Sequence, residues 1–194
     1  VLAVAPDAPT AVNAAASGPQ AITITWAAPV GGDPVVDYRV TLSSGAAPID
    51  TSALTATFTN LPRGVTYTAA VVARNADGDS PPAASGSVDL PAVAPGAPSI
   101  SAGGVTSSSV SVNWSAAAAN GSAITEYRLS VSPGGQVFNA SGPGSHTFTG
   151  LSPSTVYTVS VVAVNGVGTG PSDSVTQTTS APAAQVPGAP SITA

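Results

Sequence analysis

Apolar and polar residues alternate in short segments along most of this chain. Near the start, Ile22, Ile24 and Trp26 are separated by Thr23 and Thr25. In an extended strand, such alternation places all the apolar side chains on one face. β-Branched residues dominate these segments, and glycine or proline interrupts each stretch long enough for a helix. The pattern therefore predicts half-buried β-strands and no helices.

Turn signals separate the predicted strands. Gly31-Gly32-Asp33-Pro34 and Pro133-Gly134-Gly135 are two of them. Short connections join antiparallel strands, and many half-buried antiparallel strands are typical of two sheets packed face to face. The strands are predicted at residues 10–16, 22–26, 35–42, 54–59, 66–74 and 83–90, and at 110–114, 125–131, 146–148, 155–164 and 173–178.

The same residues return after 88 to 90 positions, which indicates an internal repeat. Trp26 and Trp114 lie 88 residues apart, and a Pro-x-x-Pro motif that opens each unit returns a third time at Pro187. Because of that third motif and the absence of methionine, we expect the units to belong to a longer polypeptide. The predicted domains are residues 5–91 and 94–181, followed by a linker and the start of a third repeat at 182–194.

Proline-rich segments follow each unit, at residues 90–98 and 181–187. Proline favours an extended, semi-rigid backbone over a flexible coil. We therefore expect successive units to form a beaded rod with limited bending.

The composition is poor in charge. Only 7% of the residues are charged, the net charge is −5, and the four basic residues are all arginines. Phosphate backbones and anionic membranes bind basic surfaces, so we expect no nucleic-acid partner. No apolar run reaches the roughly 20 residues of a membrane span, so we expect no membrane insertion. The chain has no cysteine, which excludes disulfides and thiolate metal sites.

Several motifs recur in the same order in both units. Each unit has the Pro-x-x-Pro opening, a tryptophan in its second predicted strand, a tyrosine in the next one, and a leucine six residues before another tyrosine. Residues 151–157 read Leu-Ser-Pro-Ser-Thr-Val-Tyr, which fits a Leu-x-Pro-x-Thr-x-Tyr corner at every fixed position. In these features residues 6–180 resemble tandem fibronectin type III domains, of the Ala/Thr/Gly-rich kind found in bacterial extracellular proteins.

The resemblance implies an all-β chain of two immunoglobulin-like, seven-stranded antiparallel sandwiches. It also implies that the corner tyrosine buries its ring and returns its hydroxyl to nearby backbone. In the first unit the corner reads Leu-Pro-Arg-Gly-Val-Thr-Tyr over residues 61–67, so we expect a different local turn there. The structural core residues implied are Trp26, Tyr38, Leu61, Tyr67, Trp114, Tyr127, Leu151 and Tyr157.

We predict no catalytic, cofactor-binding or metal site. The only histidine, His146, has its counterpart in the first unit near Thr57 or Ala56 and is expected to be an ordinary surface residue. Asp77 and Asp79 lie in a loop whose counterpart, residues 165–170, has no acid. A repeated calcium site would repeat its ligands, so a plain turn is favoured. By the resemblance, this loop carries an Arg-Gly-Asp tripeptide in some animal domains, and that tripeptide is absent here.

Three weaker signals remain. Asp37 with Arg39, and Glu126 with Arg128, are predicted to form local charge pairs on an outward strand face. Phe138 is the one aromatic residue that the core does not obviously claim. Because core positions take most of the aromatic residues that could stack on a sugar, we do not expect the modules themselves to bind sugar. Asn-x-Ser patterns, which are the acceptor motif for N-glycosylation, occur at Asn113, Asn120 and Asn139.

These observations favour a non-enzymatic function. The preferred hypothesis is a spacer and interaction region of a secreted or cell-surface bacterial protein, whose partners are other modules of the same polypeptide. As the resemblance implies, such arrays often lie within polysaccharide-degrading enzymes. The alternative is a self-assembling or adhesive repeat protein, such as a filament, sheath, tail fibre or adhesin stalk, whose partner is itself or a surface polysaccharide or protein.

Overall fold

In the computed structural model, which describes residues 4–184, the chain forms β-strands and, over that range, no helix. It divides into two compact units, Val1–Val93 and Ala94–Ala194. The prediction of an all-β chain of two sandwich domains is confirmed. The third-repeat motif at Pro187 lies outside the described residues.

The first unit contains ten short strands. They are β1 (Thr10–Gly18), β2 (Ala21–Ala27), β3 (Asp37–Leu42), β4 (Ile49–Thr51), β5 (Thr55–Phe58), β6 (Val65–Tyr67), β7 (Ala69–Asn75), β8 (Gly78–Asp79), β9 (Ala83–Ala84) and β10 (Val88–Leu90). One sheet has the order β1-β2-β5. The other has the order β4-β3-β7-β8, with β9 also paired to β7, while β6 and β10 pair with each other.

The second unit contains seven strands. They are β11 (Ile100–Val105), β12 (Ser109–Trp114), β13 (Ile124–Ser132), β14 (Val137–Ala140), β15 (Gly144–Thr149), β16 (Val156–Asn165) and β17 (Asp173–Thr178). They form a three-stranded sheet in the order β11-β12-β15 and a four-stranded sheet in the order β14-β13-β16-β17. All pairings are antiparallel.

The first unit follows the same plan, but two of its strands are interrupted. Strands β6 and β7 together correspond to β16, and β9 and β10 together correspond to β17. At the interruption, the backbone N–H of Thr68 donates to Ser43 Oγ over 3.1 Å, and that of Ala69 donates to Ser85 Oγ over 2.9 Å. Serine hydroxyls thus replace backbone acceptors of the neighbouring strands, which keeps these N–H groups hydrogen-bonded.

Four strands were not predicted from the alternation pattern: β4, β8, β11 and β14. Each is short or glycine-containing and has no fully buried side chain. Alternation marks a strand only where one face is buried against a core. These strands instead form by backbone pairing with a neighbour that is better buried.

Each unit has its own hydrophobic core between its two sheets. In the first unit the ring of Trp26 on β2 lies edge-on to that of Tyr38 on β3, with centroids 5.4 Å apart. In the second unit Trp114 on β12 lies edge-on to Phe138 on β14, at 6.3 Å. Both tryptophans are only 6% exposed. Each tryptophan therefore joins the two sheets of its own unit.

Replacing Trp114 with alanine is expected to unfold the second unit alone. A buried tryptophan truncated to alanine typically costs about 3–5 kcal/mol, a large share of the stability of a small domain. Calorimetry of the full chain should show one transition lost or moved sharply down, while the other stays in place. Trp26→Ala should do the reverse, and two unmoved transitions in either variant would contradict this expectation.

Candidate functional site

The eight residues expected from the sequence to form the structural core all lie inside the two units. None of them is more than 7% exposed. They are Trp26, Tyr38, Leu61 and Tyr67 in the first unit and Trp114, Tyr127, Leu151 and Tyr157 in the second. The rings of the tryptophans and tyrosines among them pack in the cores, so only the polar atoms of these side chains can take part in further chemistry.

The corner tyrosines hydrogen-bond to backbone in opposite senses. The Tyr67 hydroxyl donates to the carbonyl oxygen of Pro62 over 2.7 Å, whereas the Tyr157 hydroxyl accepts from the backbone N–H of Ser152 over 2.9 Å. Proline has no N–H to donate, so the hydroxyl in the first unit must be the donor. Both bonds span five residues. The altered corner sequence in the first unit therefore reverses donor and acceptor, while the hydrogen bond stays at the same position of the corner.

The tyrosines on the strand that follows the tryptophan strand, Tyr38 on β3 and Tyr127 on β13, differ more in their hydrogen bonds. The Tyr127 hydroxyl accepts from the backbone N–H of Ala117 over 3.1 Å. Three residues after the tryptophan, where the second unit has Ala117, the first unit has Pro29, which has no N–H. The Tyr38 hydroxyl makes no hydrogen bond to the described residues, and its oxygen is not among their fully buried atoms without a partner, which are Trp26 Nε1 and Gln177 Oε1. Burial raises the pKa of Tyr38 above its usual value.

Tyr38 lines a surface groove of about 370 Å³ in the first unit. The rest of the lining is the loop between β2 and β3, residues 28–35. This loop is tied to the start of the chain, because Asp7 N–H donates to the Gly31 carbonyl over 3.2 Å and Val4 N–H donates to Asp33 Oδ2 over 2.9 Å. Gly32 adopts a positive φ of 82° and lies against Pro6, where a Cβ would clash.

His146 and Phe138 close one side of the second sandwich. Their rings stack with centroids 3.7 Å apart and planes 9° apart, and they come from edge strands of the two different sheets. His146 also lies edge-on to Phe148 at 4.7 Å. The expectation of an ordinary surface histidine was wrong, since the ring is half-buried in this cluster and burial lowers its pKa. Phe138 likewise packs against the core, so its ring face is taken by histidine.

The predicted Asp37–Arg39 pair is wrong, because each residue bonds a partner on a neighbouring strand. Arg39 binds Asp50 over 2.9 Å, and Arg74 binds Asp37 over 2.7 Å. Arg74 also lies 3.1 Å from Asp50, so the four residues form one neutral network across β4, β3 and β7. Bonding by Arg39 lowers the pKa of Asp50 to about 2.

In the second unit Arg128 does bind Glu126, over 2.6 Å, as the local pattern predicted. Both residues lie on β13, two positions apart, and so on the same face of that strand. The pair is exposed enough to contribute little to stability.

The loop with Asp77 and Asp79 is built by an asparagine side chain. Asn75 Oδ1 accepts from the backbone N–H groups of Asp77 and Gly78, over 2.9 and 3.1 Å. Asn165 makes the same two bonds in the second unit, to the N–H groups two and three residues on. The asparagine is thus the repeated part of the turn. Over residues 4–184, no three His, Cys, Asp or Glu side chains gather as a metal site would require.

The three Asn-x-Ser asparagines lie in different surroundings. Asn113 and Asn139 are exposed, on β12 and β14. Asn120 is half-buried in a turn, where its side chain donates to the carbonyl of Ala94 over 2.9 Å. Residues 4–184 include no helix of the length and apolarity that crossing a membrane requires.

The hydroxyl contacts predict unequal effects of removing single oxygen atoms. Tyr67→Phe, Tyr127→Phe and Tyr157→Phe should each lower the free energy of unfolding by about 1 kcal/mol, since each leaves a backbone group without its partner. Tyr38→Phe should change it by much less, because its hydroxyl has no partner to lose. Urea unfolding of the four variants measures this. Equal losses in all four would show that the Tyr38 hydroxyl is bonded.

The second unit is expected to lose stability as the pH falls below about 6.5. His146 has a lowered pKa when folded, so below its usual value near 6.5 the unfolded state binds the proton first. Thermal unfolding between pH 8 and 5 should show this slope for the second unit alone, since the first unit has no histidine. His146→Gln should flatten it, and an unchanged slope in that variant would assign the effect to other groups.

A family model supports the assignment of tandem fibronectin type III domains made from the motifs. The model of the fibronectin type III domain family matches residues 7–89 and 94–179. A two-domain fibronectin type III segment of chicken tenascin is 24% identical, with a TM-score of 0.48 over 88% of this chain and 99% of that one. The FN1–FN3 domains of chicken CNTN1 are 22% identical, with a TM-score of 0.40 over 92% of this chain and 69% of that one. Curated protein sequences contain no match. The two family matches cover most of the chain, which therefore belongs to the fibronectin type III family.

Proposed function

We propose that the two domains are non-catalytic spacer and interaction modules of a secreted or cell-surface bacterial protein, where they hold other domains in position. One such context is a polysaccharide-active enzyme. Tandem fibronectin type III domains are typically structural or interaction modules. The observation that carries the proposal is the structural role of the residues that the two units share. What the two units share is core, corner and turn, and the residues that could do chemistry are not repeated.

The surface chemistry supports this role. Outward-facing hydroxyls pair with each other across strands, as Thr23 does with Thr57 over 2.9 Å and Ser111 with Thr147 over 2.8 Å. Three of the four arginines are held in ion pairs, which leaves few flexible basic side chains for trypsin-like proteases. Such a surface is inert and suits a module that must persist outside the cell.

The alternative function, self-assembly or adhesion, is favoured by the edge strands of the second unit. Strands β14 and β15 each end a sheet, and neither contains proline, lysine or any acid. Charged residues and proline are the usual means of blocking pairing between sheet edges. An edge without them is open to a further strand.

Sedimentation velocity over a wide concentration range separates the two functions. A spacer is expected to sediment as a monomer with one coefficient at all concentrations. A self-assembling repeat would instead give a coefficient that rises with concentration, and ordered fibres in negative-stain images of the same samples. That second outcome would overturn the spacer proposal.

A further inference from the structure

The groove at Tyr38 combines three features that indicate the chemistry of a ligand. Tyr38 lines it and is 5% exposed as a whole residue, while its hydroxyl oxygen is open to the groove and makes no hydrogen bond to the described residues. In the second unit the equivalent hydroxyl accepts from the Ala117 N–H. A hydroxyl that is open to a groove and not engaged by the protein can donate to a ligand that supplies an acceptor.

The second feature is the apolar wall of the groove. Pro29, Val30, Pro34 and Val35 line it, and Val30 is 96% exposed, the most exposed large hydrophobic residue described. The loop is held in place by the bonds from Asp7 and Val4, so this wall does not need to be ordered on binding. A preorganised apolar surface binds at a lower entropic cost.

The third feature is charge. Seven of the nine acids lie in the first unit, with three arginines. Two of those arginines are engaged by Asp37 and Asp50. The carboxylates at the groove have no arginine: Asp33 lines it, and Asp7 lies against Gly31, where an added Cβ would meet its carboxylate. A partner complementary to this rim is cationic.

We propose that this groove binds an extended, proline-containing and cationic segment of another protein. Proline rings of the ligand pack on Pro29, Val30 and Pro34, which removes apolar surface of both partners from water. A backbone carbonyl of the ligand accepts from the Tyr38 hydroxyl, since polyproline II carbonyls have no internal partner. Its basic side chains face Asp7 and Asp33. The proline-rich stretch of this chain at residues 90–98 contains no basic residue, so a second copy lacks that complement.

This inference rests on the proposed role of the domains as interaction modules and names one partner class for the first. The test is an amide-proton NMR titration of the full, nitrogen-15-labelled chain with an acetylated peptide of three Pro-Pro-Arg repeats. Saturable shifts are expected at the amides of Gly31, Gly32 and Val35. Three Pro-Pro-Glu repeats should give none, and added salt should weaken the binding of the cationic peptide.

Variants then test each feature. Tyr38→Phe should weaken binding by about three- to tenfold, in proportion to one lost hydrogen bond, without lowering stability. Val30→Ser removes an exposed apolar contact that folding does not need, and should weaken binding as well. Tyr127→Phe, the matched change in the second unit, should leave binding unaltered. Asp33→Asn keeps an acceptor for Val4 and should reduce the salt dependence.

Three results would overturn the inference. One is the absence of saturable shifts, and another is equal binding of the acidic peptide. The third is unchanged affinity in both Tyr38→Phe and Val30→Ser. A negative titration with concentration-independent sedimentation would remove the groove as a site and leave the spacer role standing, whereas growth in sedimentation would count against the spacer role itself.

Discussion

The packing of one tryptophan from each three-stranded sheet against the opposite sheet is the contact on which each domain depends. Each unit is small enough to hold a single core, and the tryptophan is the largest side chain in it. A buried tryptophan covers about 150–250 Å², which corresponds to about 4–6 kcal/mol as an upper estimate. That is comparable with the whole stability of a small domain. The tyrosine hydroxyl bonds and asparagine turns then hold the loops around a core that the tryptophan has closed.

The sides of a sandwich must also be closed, and the second unit does this with different chemistry on each side. On one side Phe138 and His146 stack between β14 and β15. On the other, Gln177 Nε2 on β17 donates to the Gly103 carbonyl of β11 over 3.0 Å, and the Ile100 N–H donates to Asp173 Oδ2 over 3.1 Å. Both solutions join the two sheets at an edge, where backbone pairing ends.

The two units use the same backbone plan and different polar partners. Where the first unit has proline, at Pro29 and Pro62, a backbone donor is missing and a tyrosine hydroxyl must act differently. The Tyr67 hydroxyl donates where its counterpart accepts, and the Tyr38 hydroxyl remains available at a groove. Small losses of this kind leave the core intact, because the ring still packs. They change the surface, and interaction modules differ from one another mainly at their surfaces.

The sequence alone determined the strands with a buried face, the repeat and the core residues. Alternation and the returning tryptophans and tyrosines are local or strictly periodic signals, so they can be read without the fold. Only the tertiary structure decided which charges pair, as Arg74 with Asp37, and where His146 lies. It also decided which short edge strands form. Partners such as Arg74 and Asp37 lie 37 residues apart and meet only through the register of antiparallel strands. Edge strands such as β4 and β14 bury too little apolar surface to require alternating apolar and polar residues in the sequence. Their hydrogen bonds come from a neighbour, and no local pattern encodes that neighbour.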